Sequence, residues 1–556
     1  MKFSEMPYTR VDMEQVKEFF ESLIAKSKAA KSGEEQFALH KEYYAFMDEV
    51  STNIRLGMIR HTIDTADEYY SKENDYLDSI TPLLSMYEKR YKEVLYTSPY
   101  RAYLEQKIGK VAFKNIELSM KSVDEKIIPL MQEENELVSK YDKLIASAKI
   151  PFEGEVYNLS LLRKFLVAQD RDTRKRAWKA LSEYFCSVTD EIGEIYDKMV
   201  KNRTAQAKAL GYENYIELGY QRMMRNSYDR EMVENFRRQV KESFVPFVAK
   251  IQEERRKQIG VEELKYYDND VFFPEGNPAP TGTPEEIMQA GQEMYRELSP
   301  ETGEFFDFMM ENELFDVLGR KTKKQGGYMD FLPAYKAPFI FANFNGTSGD
   351  VDVITHECGH AFQGYLTRNE EIREHNDLTM ETAEIHSMSM EYFTYGWMEK
   401  FFGERASDYL KMHLQDSITF IPYGCMVDEF QHIVYERPEM TPSDRKELWA
   451  ELEKTYRPWL DYENDPFFAQ GGYWQRQSHI FGSPFYYIDY VLASVVAMQF
   501  KVWMDRDFHE AWQHYLQLCR LSVKDFYEKE LDEVGLKSPF RDGCIRELVD
   551  ALEKKL

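Results

Sequence analysis

The chain has 556 residues, of which 43% are hydrophobic and 30% are charged, and this composition excludes a largely disordered protein. Its formal net charge of -26 would repel phosphate groups, which argues against nucleic acid or an anionic membrane as the main partner. The five cysteines are scattered without CxxC pairs, so we expect neither a disulfide framework nor a thiolate metal site.

The beginning of the sequence lacks the apolar segment of a secretion signal, and no stretch approaches the roughly 18 apolar residues that span a bilayer. Free thiols fit a reducing compartment. We therefore expect a soluble cytoplasmic protein that has no membrane partner.

The first part of the chain, residues 11 to about 147, has apolar residues at the three and four spacing of helices. One such stripe is predicted to pack in the core and consists of Tyr43, Met47, Val50, Ile54 and Met58. The helical pattern breaks near residue 150. We place a boundary there, between an N-terminal helical region at residues 1–150 and a second region at residues 151–556.

The clearest strand is residues 338–344, which are apolar on both faces and end at the turn dipeptide Asn345-Gly346. Thr347, Ser348 and Asp350 then offer caps for a helix that begins near Val351. The sequence thus predicts a mainly α protein with a small sheet beside one important helix.

That helix carries the pentapeptide HECGH at residues 356–360, an HExxH motif. His356 and His360 are one turn apart on one face, where neutral imidazoles can chelate one zinc ion, and Glu357 between them can act as general base. With 11 histidines in the chain, chance would produce HExxH in roughly one of 40 such sequences, so the motif alone is suggestive.

A catalytic zinc usually has a third protein ligand and an open position. The metzincin extension HxxGxxH is excluded, because Gln363 replaces its glycine and Leu366 its third histidine. The next helical segment offers several candidates, between which spacing cannot choose: Glu381, Glu384, His386 and Glu391.

Several motifs resemble the M3 peptidases, the group of thimet oligopeptidase and oligoendopeptidase F. They are NFNGT at residues 343–347, HECGHAF at 356–362, EIHSM at 384–388, GGY at 326–328 and HIFGSPFYYIDY at 479–490. The resemblance spans roughly residues 150 to 550 and is greatest to the oligoendopeptidase F and Pz-peptidase branch. One departure is Cys358, which we interpret as a small buried hydrophobe.

The resemblance implies that Glu384 is the third ligand of one zinc ion per chain. It also implies two mainly helical lobes around a deep channel, so that residues 151–556 form the catalytic region of a two-lobed peptidase. A short edge strand would bind the substrate backbone, and residues 339–344 would be that strand. The substrates would be short oligopeptides.

Three further residues complete the predicted site. His479, Tyr486 and Tyr490 match the histidine and tyrosine loop of the family, and they are candidates to stabilise negative charge on the scissile carbonyl. The two tyrosines are four apart and would share a helix face. His432 follows Asp428 by four residues and could support the site, but we interpret it as a structural histidine, and the remaining histidines, among them His413, show no partner pattern.

Two alternatives are left open by these motifs. A zinc carboxypeptidase or aminopeptidase on a related scaffold would also carry HExxH and a downstream glutamate. A catalytically dead peptide-binding protein would keep the fold, but the presence of Glu357 with all three ligands argues against it. The oligomeric state and the peptide preference are not encoded in any motif that we recognise.

Overall fold

Most of the chain is helical in the computed structural model, which describes residues 1–521 and 523–555. Six helices precede residue 150: α1 (Met13–Ala29), α2 (Gly33–Ile63), α3 (Glu68–Tyr96), α4 (Arg101–Ile108), α5 (Lys110–Ser122) and α6 (Ile128–Ala146). The helical pattern predicted for residues 11 to about 147 is therefore confirmed. Within the described residues, every helix is too short or too polar to cross a membrane.

Two small sheets interrupt the helices that follow. A hairpin of β1 (Ile150–Phe152) and β2 (Glu155–Tyr157) comes directly after α6. Six helices then lead to the second sheet: α7 (Leu159–Leu166), α8 (Arg171–Leu210), α9 (Tyr215–Arg222), α10 (Arg230–Ile259), α11 (Pro284–Leu298) and α12 (Pro300–Glu311). The predicted domain boundary falls at β1, and the division itself stays a prediction.

The second sheet consists of β3 (Phe315–Leu318), β4 (Tyr328–Leu332) and β5 (Ala337–Phe344). Ten helices come after it: α13 (Gly349–Thr367), α14 (Met380–Phe393), α15 (Glu399–Phe402), α16 (Ala406–Glu436), α17 (Pro442–Tyr456), α18 (Ser478–Gly482), α19 (Tyr487–Met504), α20 (Phe508–Leu521), α21 (Tyr527–Glu533) and α22 (Cys544–Leu552). The prediction of a mainly α fold with a small sheet beside the HExxH helix, α13, is confirmed.

Side-chain caps explain where several long helices begin. At their N-caps an aspartate or serine oxygen accepts a backbone N–H of the first turn, which would otherwise lack a partner. These caps are Asp12 for α1, Ser32 for α2, Asp67 for α3, Asp170 for α8 and Asp229 for α10.

The buried apolar side chains form two clusters, and α2 contributes to both. Tyr43 and Val50 belong to a smaller cluster built mainly from α1 to α5. Leu56 and Ile59, about two turns later on the same helix, belong to the main cluster that includes α13, α14 and α19. The second half of α2 also contacts the strand β4, where the hydroxyls of Thr62 and Tyr328 are hydrogen bonded.

The stripe predicted along α2 is only partly correct. Tyr43 and Val50 are buried, but Met58 is 46% exposed. The buried positions in the last turns are Leu56 and Ile59. The difference arises because α2 packs against different elements along its length, so the buried positions of its two halves lie on different faces of the helix.

The strand β5 lies in the centre of its sheet, in the order β3-β5-β4. It pairs in parallel with β3, where Phe315 is opposite Ile340, and antiparallel with β4, where Tyr328 is opposite Phe341. The prediction that residues 339–344 form an edge strand is therefore wrong. Continuous apolar residues on both faces are typical of a central strand, and the edge beside α13 belongs to β4.

A glycine pair before β4 brings the backbone close to α13. Gly326 has a φ of 98°, which other residues rarely adopt. A Cβ on Gly327 would lie 2.6 Å from Val353 Cγ2 and 3.4 Å from Glu357 Oε1. The Asn343 side-chain amide donates to the carbonyl of Gly326 at 2.8 Å and holds this loop against β5.

The helices α13 and α14 also approach each other at a glycine. A Cβ on Gly359 would lie 2.5 Å from Ser387 Cα and 2.6 Å from the backbone oxygen of His386. These are backbone atoms, so neither could move aside without shifting α14. Gly359 therefore sets the distance between the two helices.

We expect Gly359→Ala to lower the free energy of unfolding by about 1–3 kcal/mol, the usual cost of overpacking, because the added methyl group must separate α13 from α14. The matched control is Gly364→Ala on the same helix, where a Cβ would meet the ring of Phe331 at 3.3 Å. A side-chain ring can shift, so this variant should lose less. Chemical denaturation of both proteins measures the difference, and equal losses would contradict a special role for Gly359.

Candidate metal centre and active site

The start of α13 is fixed by the turn that follows β5. Gly346 has a φ of 82°, as the predicted Asn-Gly turn requires. The carboxylate of Asp350 accepts the backbone N–H groups of Asn345 and Gly346, both at 2.8 Å. Ser348 is the N-cap but makes no side-chain capping bond. Asp350 thus ties the helix to the turn instead of capping the helix end.

Three predicted residues converge on one point between α13 and α14. His356 Nε2 lies 3.2 Å from Glu384 Oε2, and His360 Nε2 lies 3.3 Å from the same oxygen. One ligand atom from each side chain lies within 4.8 Å of the other two. The described residues therefore place two imidazole nitrogens and a carboxylate oxygen where they could hold one metal ion.

Glu384 is almost completely buried, with 1% of its surface exposed, and it is surrounded by donors. Ser387 Oγ donates to Glu384 Oε2 at 2.9 Å, and the hydroxyl of Tyr486 donates to Oε1. Burial raises the pKa of Glu384, but the charges and hydrogen bonds of His360 and His356 outweigh it and hold the pKa well below its usual value. The carboxylate is therefore ionised.

The other three candidates for a third ligand are directed elsewhere. Glu381 Oε2 is 3.4 Å from the hydroxyl of Tyr228. His386 Nδ1 is 3.5 Å from Cys519 Sγ, and burial lowers the pKa of this histidine to about 3. Glu381 and His386 thus lie on other faces of α14. Glu391 contacts Nδ1 of His356, whereas Nε2 of that ring faces Glu384.

Glu391 bridges two histidines. Its Oε1 lies 2.6 Å from His356 Nδ1, and its Oε2 lies 2.7 Å from His413 Nε2. His413 Nδ1 is in turn 2.7 Å from the hydroxyl of Tyr395. Burial raises the pKa of Glu391, but hydrogen bonds from both histidines outweigh it and lower the pKa to about 2. This chain of contacts fixes the ring of His356, with Nε2 facing Glu384.

Glu357 lies beside the metal-ligand candidates and under the start of β4. It is 6% exposed, and among the described residues no side chain is hydrogen bonded to its carboxylate. Burial raises the pKa of Glu357, and the charges of His356 and His360 oppose this effect. The next residue, Cys358, is completely buried, and burial raises the pKa of its thiol, as expected for a small hydrophobe.

His479, Tyr486 and Tyr490 lie together beside Glu384. His479 Nε2 is 3.2 Å from the Tyr490 hydroxyl, and the two tyrosine rings are 4.8 Å apart between centroids. Burial lowers the pKa of His479 to about 4, so its ring is neutral near pH 7. The hydroxyl of Tyr486 is already bonded to Glu384, whereas that of Tyr490 lies near His479 Nε2 and the Tyr486 hydroxyl.

Two cavities lie along α13, on either side of the candidate metal ligands. Cavity A, of about 430 Å³, lies beside the first half of the helix and is lined there by Asp352, Val353 and His356. Cavity B, of about 630 Å³, lies beside the second half and is lined there by Gln363 and Thr367. The opposite wall of cavity B comes from α2 and α3, and the candidate metal ligands lie between the two cavities.

The strand β4 runs along α13 in the same direction. Its start is at Gly327, against Val353 and Glu357, and Phe331 lies against Gly364, about two to three turns later along the helix. The strand therefore passes over the HExxH motif, from the end of cavity A to the end of cavity B. On this side of the sheet, the edge that could add a peptide strand is β4, which begins in the GGY sequence.

The support that His413 and Tyr395 provide is not predictable from the sequence. His413 lies on α16 and is 22 residues from Glu391. No short-range spacing connects these residues, since their contact depends on how α16 packs against α14. A buried histidine without a nearby partner in sequence is a weak signal at best.

The chain is similar to known protein families and solved structures. A family model described as "Peptidase family M3" matches residues 165–281 and 285–517, and one described as "Peptidase M3 N-terminal domain" matches residues 3–123. A solved structure of Pz peptidase A with an inhibitor is 47% identical and has a TM-score of 0.99 over 100% of this chain and 99% of that chain.

Two further relatives agree with these matches. A structure described as an oligoendopeptidase F from Bacillus anthracis strain Ames is 42% identical, with a TM-score of 0.93 over 100% of this chain and 98% of that chain. The group B oligopeptidase PepB of Streptococcus agalactiae serotype III (strain NEM316) is 24% identical over 253 residues, which are 44% of this chain. This match spans 40% of the length of that relative.

Proposed function

Because the chain belongs to peptidase family M3, we propose that it is a zinc-dependent endopeptidase that hydrolyses internal bonds of short oligopeptides. The observation that carries this proposal is the convergence of His356, His360 and Glu384 beside Glu357. The names of the similar proteins, which include an oligoendopeptidase and an oligopeptidase, support peptides as the substrates.

We also propose that residues 1–150 and 151–556 are the N-terminal and catalytic regions of this peptidase, and the cytoplasmic location stays a prediction.

The donor set is the one that fits zinc. Two imidazoles and one carboxylate are the ligands of many catalytic zinc sites, which keep a fourth position open. His356 and His360 offer Nε2, and the ionised Glu384 offers Oε2, so the three atoms could hold a dication. A bound zinc ion would supply Lewis-acid chemistry, by polarising the scissile carbonyl and acidifying water.

Glu357 is the proposed general base. Its carboxylate lies next to both histidines and is free of side-chain partners among the described residues, so it is available to accept a proton from the attacking water. The same group can then transfer that proton to the leaving amine. Gly327 leaves space above the carboxylate because it has no side chain.

His479 and Tyr490 are the proposed donors to the carbonyl oxygen as it becomes negatively charged. Such donors lower the barrier when they are already in position before the reaction. Because the Tyr486 hydroxyl is engaged by Glu384, we assign it to holding that carboxylate and assign the oxyanion role to Tyr490.

Metal binding should depend on Glu384 more than on its neighbours. We expect the wild type to bind one zinc ion per chain and Glu384→Ala to lose most of it, because a ligand atom is removed. The matched control is Glu381→Ala, one turn earlier on α14, whose carboxylate is directed towards Tyr228. Metal analysis after dialysis against a weak chelator measures both, and greater loss from Glu381→Ala would contradict the assigned ligand set.

Glu357→Gln should retain zinc but lower kcat by about 10² to 10⁴, since the amide has nearly the same shape and cannot accept a proton. The substrate is an internally quenched peptide, acetylated at its N-terminus and amidated at its C-terminus, which an endopeptidase can cleave and an exopeptidase cannot. Zinc-loaded Glu357→Gln with near-normal turnover would disprove the mechanism. A wild type that cleaves only peptides with free ends would favour the exopeptidase alternative.

The two tyrosines should respond differently to loss of their hydroxyls. Tyr490→Phe should lower kcat by about 10² to 10³ with little change in KM, because the lost hydrogen bond forms chiefly in the transition state. Tyr486→Phe should weaken zinc binding by about tenfold to a hundredfold, as expected when a group that orients a ligand is removed. Steady-state kinetics and zinc competition assays on both variants distinguish the roles. Unchanged kinetics in Tyr490→Phe would remove it from the site.

A further inference from the structure

Cavity A contains an arginine whose guanidinium has no polar partner. Arg476 ends a single helical turn, Tyr473–Arg476, and lines this cavity together with His356. Its guanidinium carbon is 4.8 Å from the ring centroid of Tyr473 and 5.3 Å from that of Trp178. In the described part of the chain it makes no ion pair or hydrogen bond, and its Nη1 is buried without a partner. The aromatic rings hold the cation in place while its N–H donors stay available.

A second arginine lies on another wall of the same cavity. Arg163, on α7, is exposed and has no ion pair within residues 1–521 and 523–555. The carboxylates that line cavity A, in contrast, are all engaged. Asp350 accepts two backbone N–H groups, Asp352 accepts the hydroxyl of Tyr409, and Glu391 contacts two histidines. Within the described residues, the charged groups of this cavity that lack both an ion pair and a hydrogen bond are therefore the two arginines.

The direction of β4 indicates which part of a substrate would enter cavity A. The strand has β5 as its one partner in the sheet and runs from the cavity A end of α13 towards the cavity B end. Antiparallel pairing is the more stable kind per residue. A peptide added antiparallel to β4 would run from cavity B to cavity A. Its residues C-terminal to the cleaved bond would then occupy cavity A.

We propose that Arg476, with Arg163, binds a substrate carboxylate on the C-terminal side of the cleaved bond, and that a free peptide C-terminus is the main source of it. This inference rests on the proposed peptidase function and adds the group that positions the substrate. A guanidinium recognises a carboxylate through two parallel N–H donors, which gives both affinity and orientation. A peptide that ends within cavity A therefore places its bond over Glu357, and the length beyond that bond becomes a determinant of specificity.

The test compares matched peptides that differ in one group. The zinc-loaded wild type is given N-acetylated fluorogenic peptides with one to five residues after the cleaved bond, each as a free acid and as a C-terminal amide. At the best length, kcat/KM should be about tenfold to a hundredfold higher for the acid, as expected for charge-assisted hydrogen bonds. A third peptide, amidated but with glutamate in place of glutamine at its last position, shows whether a side-chain carboxylate can substitute.

The variants locate the recognition site. Arg476→Met keeps the length and the packing over Tyr473 and Trp178, and it should reduce the ratio of acid to amide to about one. Arg163→Met, at an exposed position, should lower the ratio by a smaller factor and carries little risk to folding. The matched control is Lys164→Met, which removes the neighbouring charge but does not line cavity A, and it should leave the ratio unchanged.

Two results would overturn the proposal: equal rates for acid and amide at every length, or a preference that survives in both arginine variants. A wild type that cleaves none of the peptides would instead contradict the proposed function. Binding then decides the role of Arg476, because Glu357→Gln protein should bind the acid about tenfold to a hundredfold more tightly than the amide. This difference should disappear when Arg476→Met is added.

Discussion

Burying the carboxylate of Glu384 between two helices is unfavourable unless every lone pair finds a donor or a cation. His356 and His360 approach one oxygen from α13, and Tyr486 donates to the other from the start of α19. This requirement connects three separate elements. It needs α13 and α14 in close contact, which Gly359 permits, and it needs the loop before α19 folded against them.

A second carboxylate extends the same arrangement outwards. His356 lies between Glu384 on its Nε2 side and Glu391 on its Nδ1 side. The field at the ligand atoms is therefore strongly negative, which favours a dication over a water molecule. Cavity A has a different charge pattern from the candidate metal centre. Its two arginines, Arg476 and Arg163, make no ion pair or hydrogen bond within the described residues. Negative groups that suit a metal ion and positive groups that suit an anion thus lie next to each other along one cleft.

The sequence was sufficient for the helical class, the strand and turn before α13, and the two histidines and Glu357 of the HExxH motif. These features depend on short-range patterns, namely the HExxH spacing, the Asn-Gly turn and the run of apolar residues in β5. Choosing Glu384 over Glu381, His386 and Glu391 needed the family resemblance, since all four share one helix. The order of the strands, the partner of Glu391 and the position of Arg476 depend on packing between distant segments, which no local pattern encodes.

The helix α2 has buried side chains in both apolar clusters, and its second half contacts β4 through Thr62 and Tyr328. It is therefore a continuous helix whose two halves pack in different apolar clusters. A tilt of the smaller cluster has to bend α2 or displace β4, because a continuous helix resists bending and the interiors are closely packed. A tilt of the smaller cluster is therefore coupled, through α2, to the strand beside Glu357.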